Sequence, residues 1–232
     1  KREIGENDNI ICKIIRKDMI DDFITYVNRQ EISLETIIEP SIYETNDFLL
    51  KRKNNVTLIA YAAFFGSSQI FKYLYLNNAK MNQKIWLFAI HGDNPEIIHT
   101  IEDKFIKPSH KIKKDGTTIS CKEILQESIK CHHNNITLYI LSNYINDEDL
   151  YDNIAQCYNE NIYSYGFHYY NFLYFPNDVN NDIFFYACQY DHFLIVDNFI
   201  KKKSITISDQ IINEINSNHL YEIPEKTVFN EI

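Results

Sequence analysis

The stretch Thr57-Leu58-Ile59-Ala60-Tyr61-Ala62-Ala63-Phe64-Phe65-Gly66-Ser67-Ser68-Gln69-Ile70-Phe71-Lys72-Tyr73-Leu74-Tyr75-Leu76-Asn77-Asn78-Ala79 decides the fold. Ala62 and Ala63 form a small pair shortly before Gly66, and Ile70, Phe71 and Leu74 follow at i, i+1 and i+4, the spacing of one helical face. Small side chains let a first helix lie close against its neighbours, and the glycine supplies the left-handed backbone that ends it. The stretch therefore reads as a helix-turn-helix hairpin. Its apolar face is too small to be buried alone, so copies must stack.

A second copy runs through Ala187, Cys188, Asp191, His192, Ile195, Val196, Phe199 and Ile200. Weaker copies are Ile14-Ile15 with Asp18, Ala89 with Gly92 and Ile97, and Ser128-Ile129 with His132, Ile136 and Ile140; a partial one has Glu214-Ile215 with Asn218-His219-Leu220. Stretches around Ile42 to Leu50 and Ile154 to Tyr163 have the right length but poor motifs. The frame predicts turns at Asp18, Gly66, Gly92, His132, Asp191 and Asn218, residue types that enter the left-handed region more readily than others. The order T-x4-A-A-x2-G-x3-I-F-x2-L-x4-A resembles the ankyrin repeat. The uneven spacing of turns departs from the steady ankyrin period, so some hairpin loops are expected to be shortened or missing. Thr57 is followed by Leu58-Ile59-Ala60 where ankyrins carry Pro-Leu-His.

The expected fold class is thus all-α, an ankyrin-like helix-turn-helix repeat solenoid. Residues 1–232 read as a single array with a basic loop inserted at 104–116, and five glycines and five prolines are too few for a turn-rich barrel or sandwich. The chain also resembles a divergent ankyrin-like family of unknown function, expanded in parasitic protists. The segments that carry this are Ile14-Ile15-Arg16-Lys17-Asp18 with Asp21-Asp22-Phe23-Ile24, Thr57 to Gly66, and Ala89-Ile90-His91-Gly92 with Asn94-Pro95-Glu96-Ile97-Ile98. That resemblance implies an architecture and no assigned activity.

The net charge of −9 argues against a general binder of nucleic acid or anionic membrane, since either partner needs a positive field over a wide face. The longest apolar run, Val56 to Phe65, is about half a membrane span. The five cysteines, Cys12, Cys121, Cys131, Cys157 and Cys188, are odd in number and lack a C-x-x-C pair. They suggest neither a disulfide framework nor a zinc knuckle, and they fit an intracellular, cytoplasmic setting. Lys1 in place of Met leaves room for a native start upstream.

Cys131-His132-His133, with Cys121 ten residues earlier, holds the ligand types zinc takes, but the repeat frame places His132 on a turn and His133 just after it. No phosphate loop, nucleophile elbow or paired carboxylate motif is present. Neither a catalytic residue, a metal nor a cofactor is expected. Ankyrin-like arrays bind partners along the concave face, through the two positions between the small pair and the turn. Carried over by the resemblance, these are Arg16 and Lys17, Phe64 and Phe65, Ile90 and His91, Lys130 and Cys131, and Gln189 and Tyr190. The expected function is a scaffold that binds a partner protein or peptide there; the alternative for Phe64 and Phe65 is burial in the core. A second, aromatic patch, Tyr163, Tyr165, Tyr169, Tyr170 and Tyr174, either packs an irregular repeat or surrounds a ligand or catalytic pocket near 158–175.

Overall fold

The computed structural model describes residues 5–51, 56–104, 119–145, 164–173 and 181–201. They are mostly helical, and their β pairing is an isolated antiparallel bridge between Ile37 and Thr57. The chain divides into two compact units, Lys1–Asn146 and Asp147–Ile232. The inserted loop at 104–116 lies outside the described residues beyond Lys104, as do Cys157 and the partial copy around Asn218.

The first unit is built from hairpins. They are α1 (Ile10–Arg16) with α2 (Ile20–Arg29), α4 (Leu58–Phe64) with α5 (Ser68–Leu76), α6 (Ile85–Gly92) with α7 (Pro95–Lys104), and α8 (Cys121–Lys130) with α9 (Asn134–Ile140). A short helix, α3 (Asp47–Lys51), intervenes, and a π-helical turn, Leu141–Ile145, follows α9. First helices pack on first helices, α1 on α4, α4 on α6 and α6 on α8; second helices form their own row, α2 on α5 and α5 on α7. In the middle of the first row, α6 is buried from Ile85 through Ile90, on every face, as a helix enclosed by neighbours must be.

Local chemistry starts these helices where the row needs them. Thr57 Oγ1 accepts from Ala60 N at 3.3 Å to cap α4, and Ser120 with Glu123 forms a reciprocal capping box on α8. The turns that end the first helices repeat one design. Asp18 (φ 49°), Gly66 (66°), Asp93 (47°) and His132 (59°) all sit in the left-handed region. At Asp18, Gly66 and His132, the turn residue and its successor donate back to the carbonyls of Ile15 and Ile14, Ala63 and Ala62, and Ile129 and Ser128. That pair of bonds is the Schellman motif, which satisfies carbonyls left over at a helix end.

One predicted turn shifts by a residue: Gly92 is the last residue of α6, and Asp93 takes the left-handed position. Gly92 is glycine for a different reason, because a Cβ there would fall 2.1 Å from the Ala63 carbonyl oxygen of the neighbouring hairpin.

The residue after each turn stitches its hairpin to the preceding one. Ser67 Oγ donates to Ile15 O at 2.6 Å, and His133 Nδ1 donates to Ile90 O at 2.7 Å. Asn94 Nδ2 reaches Gly66 O instead, at 2.9 Å. Asp18 adds a second link, its carboxylate accepting from Gln69 N and Ile70 N, both at 3.0 Å, at the positive end of α5.

The second unit repeats the plan with α10 (residues 164–168), α11 (Asn181–Gln189) and α12 (Phe193–Lys201). Turns fall at Tyr170 (φ 59°) and Asp191 (58°), with the same paired backbone bonds, and His192 Nε2 donates to Phe167 O at 2.9 Å. Its core is Phe167, Ile183 and Ala187, with Tyr186, Tyr190, Ile195 and Val196 packed against them. The segment that reads as irregular and aromatic in the sequence is, at 166–171, another repeat turn.

Candidate functional site

The helices α1 and α8 expose Ile10, Lys13, Lys122 and Glu123, whereas α4 and α6 are buried along their sides, and each first helix of the first unit reaches solvent at its end just before the turn. Lys17 and Lys130 are exposed there, and Arg16, Phe65, His91 and Cys131 are partly exposed. Two of the predicted contact residues are not available to a partner. Ile90 is 0% exposed, since the one-residue shift of the α6 turn moves it into the small-pair position and puts His91 and Gly92 in the outer pair. Phe64 is 7% exposed, because Phe48 of α3 stacks on its ring at 5.6 Å and covers it. Arg16 is held within the protein, by Glu6 at 2.9 Å, by Tyr61 Oη at 2.6 Å, and over the Phe65 ring at 5.7 Å.

The pre-turn positions of α6 and α8 meet. His91 Nε2 donates to Glu127 Oε1 at 2.8 Å, Cys131 Sγ lies 3.5 Å from His91 Nδ1 and 3.7 Å from Nε2, and Lys130 Nζ is 3.0 Å from Glu127 Oε1. The His91 ring packs against both Phe48 (4.1 Å) and Phe64 (4.8 Å), which also stack on each other. Glu127 and Cys131 are spaced i, i+4 on α8 and so share the face turned to α6. Sequence reading misses Glu127, whose local signal is that i, i+4 spacing to Cys131; the one-residue shift of the α6 turn makes Lys130, not Cys131, the repeat equivalent of His91. The tempting local triplet dissolves: His132 is the exposed turn, His133 is bound to Ile90 O, and Cys121 is buried.

Compared with known proteins, this chain matches no family model, no curated protein and no solved structure.

Electrostatics at the meeting point are set by competing effects. Burial alone would raise the Glu127 carboxyl, but hydrogen bonds from His91 and Lys130, and their charges, outweigh it and hold the group below its ordinary 4.5. Its folded pKa is depressed, so its stabilisation is complete above about 4.5 and is lost as pH falls through the lower folded value. Glu127→Gln is therefore expected to cost about 1–2 kcal/mol at pH 7, and the difference from wild type to shrink at a second pH chosen below 4.5. Urea midpoints of both proteins at the two pH values check this.

Burial pushes the Cys131 thiol up to about 12, with the Glu127 carboxylate adding to the rise. Burial raises Cys12 and Cys188 to about 12 and Cys121 to about 11 as well. Such thiols stay protonated near neutral pH, the opposite of an activated nucleophile.

In the second unit, Gln189 and Tyr190 occupy the pre-turn pair of α11. Tyr190 Oη bonds Ser164 Oγ at 2.9 Å, while Gln189 Oε1 is buried with no hydrogen-bond partner among the described residues. Of the aromatic patch, Tyr165 and Tyr169 are half-buried and Tyr170 is exposed; Tyr163 and Tyr174 lie outside the described residues. Tyr170 and Phe172 set their rings edge-on to His192 at 4.8 and 5.3 Å, which holds that histidine for its bond to Phe167 O.

Proposed function

We propose that the chain is an ankyrin-type repeat array that binds a partner protein or extended peptide along the pre-turn positions of its first helices. The observation that carries this reading is the set of partly or fully exposed, chemically mixed side chains at those positions, Lys17, Phe65, His91, Lys130 and Cys131, beside the wholly buried α4 and the buried stretch of α6 from Ile85 through Ile90. An aromatic ring flanked by long cations suits the surface of another protein, where a few large side chains carry most of the binding energy. The recurrent Schellman turns and the post-turn links to the preceding hairpin support the repeat reading, which extends the resemblance noted from Thr57 to Ala79. Among the described residues no helix is long and apolar enough to cross a membrane.

The test is affinity capture from native extract with wild type and a Lys17→Glu, Phe65→Ala, Lys130→Glu variant whose folding is confirmed by circular dichroism. The expected result is that a partner held by wild type is bound at least about tenfold more weakly by the variant, the scale of one or more interface hot spots. Equal affinity for every partner would show that this row of positions is not the binding face.

A further inference from the structure

We propose that His91, Glu127 and Cys131 form a three-ligand site for a borderline divalent cation of the zinc type, joining the first-row neighbours α6 and α8 and leaving one coordination position open. The donors are an imidazole nitrogen, a carboxylate oxygen and the Cys131 sulfur, which binds as thiolate with its proton released to solvent as the metal–sulfur bond forms, a set that favours zinc over the hard cations, which take oxygen ligands. Their ligand atoms all lie within 4.8 Å of one another. A tetrahedral zinc ion with bonds of about 2.0–2.3 Å holds its ligand atoms roughly 3.3–3.7 Å apart. Cys131 Sγ is 3.7 Å from His91 Nε2, and Nε2 is 2.8 Å from Glu127 Oε1. The sulfur–nitrogen spacing already suits the ion, and the nitrogen–oxygen pair must open by about half an ångström as the metal replaces their shared proton.

The site is braced before any ion arrives. Phe48 and Phe64 both pack against the imidazole, and Glu127 and Cys131 are one turn apart at the end of a capped helix. His91 and Glu127 keep 14% and 13% side-chain exposure, so the pair is sheltered yet has a path to solvent. Lys130, bound to Glu127 Oε1 and 39% exposed, swings outward as the cation takes that oxygen. A fourth donor comes from water or from a bound partner. Metal binds the protein alone, independently of any partner on the pre-turn positions, so failure of one would leave the other standing.

The experiment is titration of the reduced full chain with Co2+, read by absorption. One equivalent is expected to bind with a thiolate-to-cobalt charge-transfer band in the near ultraviolet, which Zn2+ bleaches. The band should vanish in Cys131→Ser and persist in Cys188→Ser, a control for adventitious thiol binding. His91→Gln keeps the thiol and should weaken Co2+ binding at least about tenfold, the floor set by loss of even an outer-sphere partner. Absence of the band in wild type, its persistence in Cys131→Ser, or its loss in Cys188→Ser overturns the assignment. Should Cys131→Ser fail to fold, His91→Gln decides: unchanged affinity there overturns it as well.

Discussion

Replacing Gly92 by alanine is expected to destabilise the first unit by about 3 kcal/mol, although alanine is the better helix former. Gly92 lies inside α6, where Gly→Ala ordinarily gains up to about 1 kcal/mol. Here the added Cβ would stand 2.1 Å from Ala63 O, 2.8 Å from Gly66 N and 3.0 Å from Gly66 Cα. All three are backbone atoms, and they belong to the Schellman turn of the neighbouring hairpin, so no side chain can swing aside. Either α6 moves off α4 or the turn opens. Packing strain should exceed the gain in propensity, and thermal unfolding should fall by roughly 6–12 °C, at about 2–4 °C per kcal/mol for a unit of this size. An unchanged or higher melting temperature would mean that the two hairpins do not approach this closely in solution.

Trp86→Ala should cost about 3–5 kcal/mol, the range for deleting a large aromatic from a packed core. Trp86 is 1% exposed in α6, which is buried from Ile85 through Ile90, and Tyr144 of the π-helical turn meets its ring edge-on at 6.0 Å. The loss therefore combines transfer of the indole with a cavity that α4, α8 and the turn after α9 cannot all close upon. Removing it also tests the stacking itself: in a repeat array each hairpin borrows its core from its neighbours, so one truncation in α6 should lower the urea midpoint of the whole first unit. Far-ultraviolet circular dichroism is the suitable probe, as Trp86 is the chain's single tryptophan. Retention of a wild-type midpoint would mean that Trp86 contributes little to the fold.

Much of the hairpin frame is legible from residue types. Asp18, Gly66, His132 and Asp191 fall where the turns are, because the left-handed position filters strongly for glycine and for short polar or imidazole side chains. Tyr170 passes through that filter unseen, since an aromatic residue there bears the steric cost of about 1–2 kcal/mol with no local sign of it. Gly92 misleads in the other direction: glycine marks a turn and a close backbone approach with the same letter, and only the packing of α6 on Ala63 tells them apart.

Sequence by itself determined the helical class, the hairpin unit and the turns at Asp18, Gly66, His132 and Asp191, because these are consequences of local sterics and a periodicity of a few residues. Tertiary structure alone decided which pre-turn side chains stay accessible. Phe64 is lost under Phe48, Ile90 is buried by a one-residue difference in helix length, and Arg16 is claimed by Glu6 and Tyr61. It also brought His91 of one hairpin onto Glu127 and Cys131 of the next, a convergence that no local pattern announces. The physical reason is the same throughout: turn chemistry is written within a few residues, whereas exposure and convergence depend on which hairpin packs beside which, and by how much each helix is turned when it does.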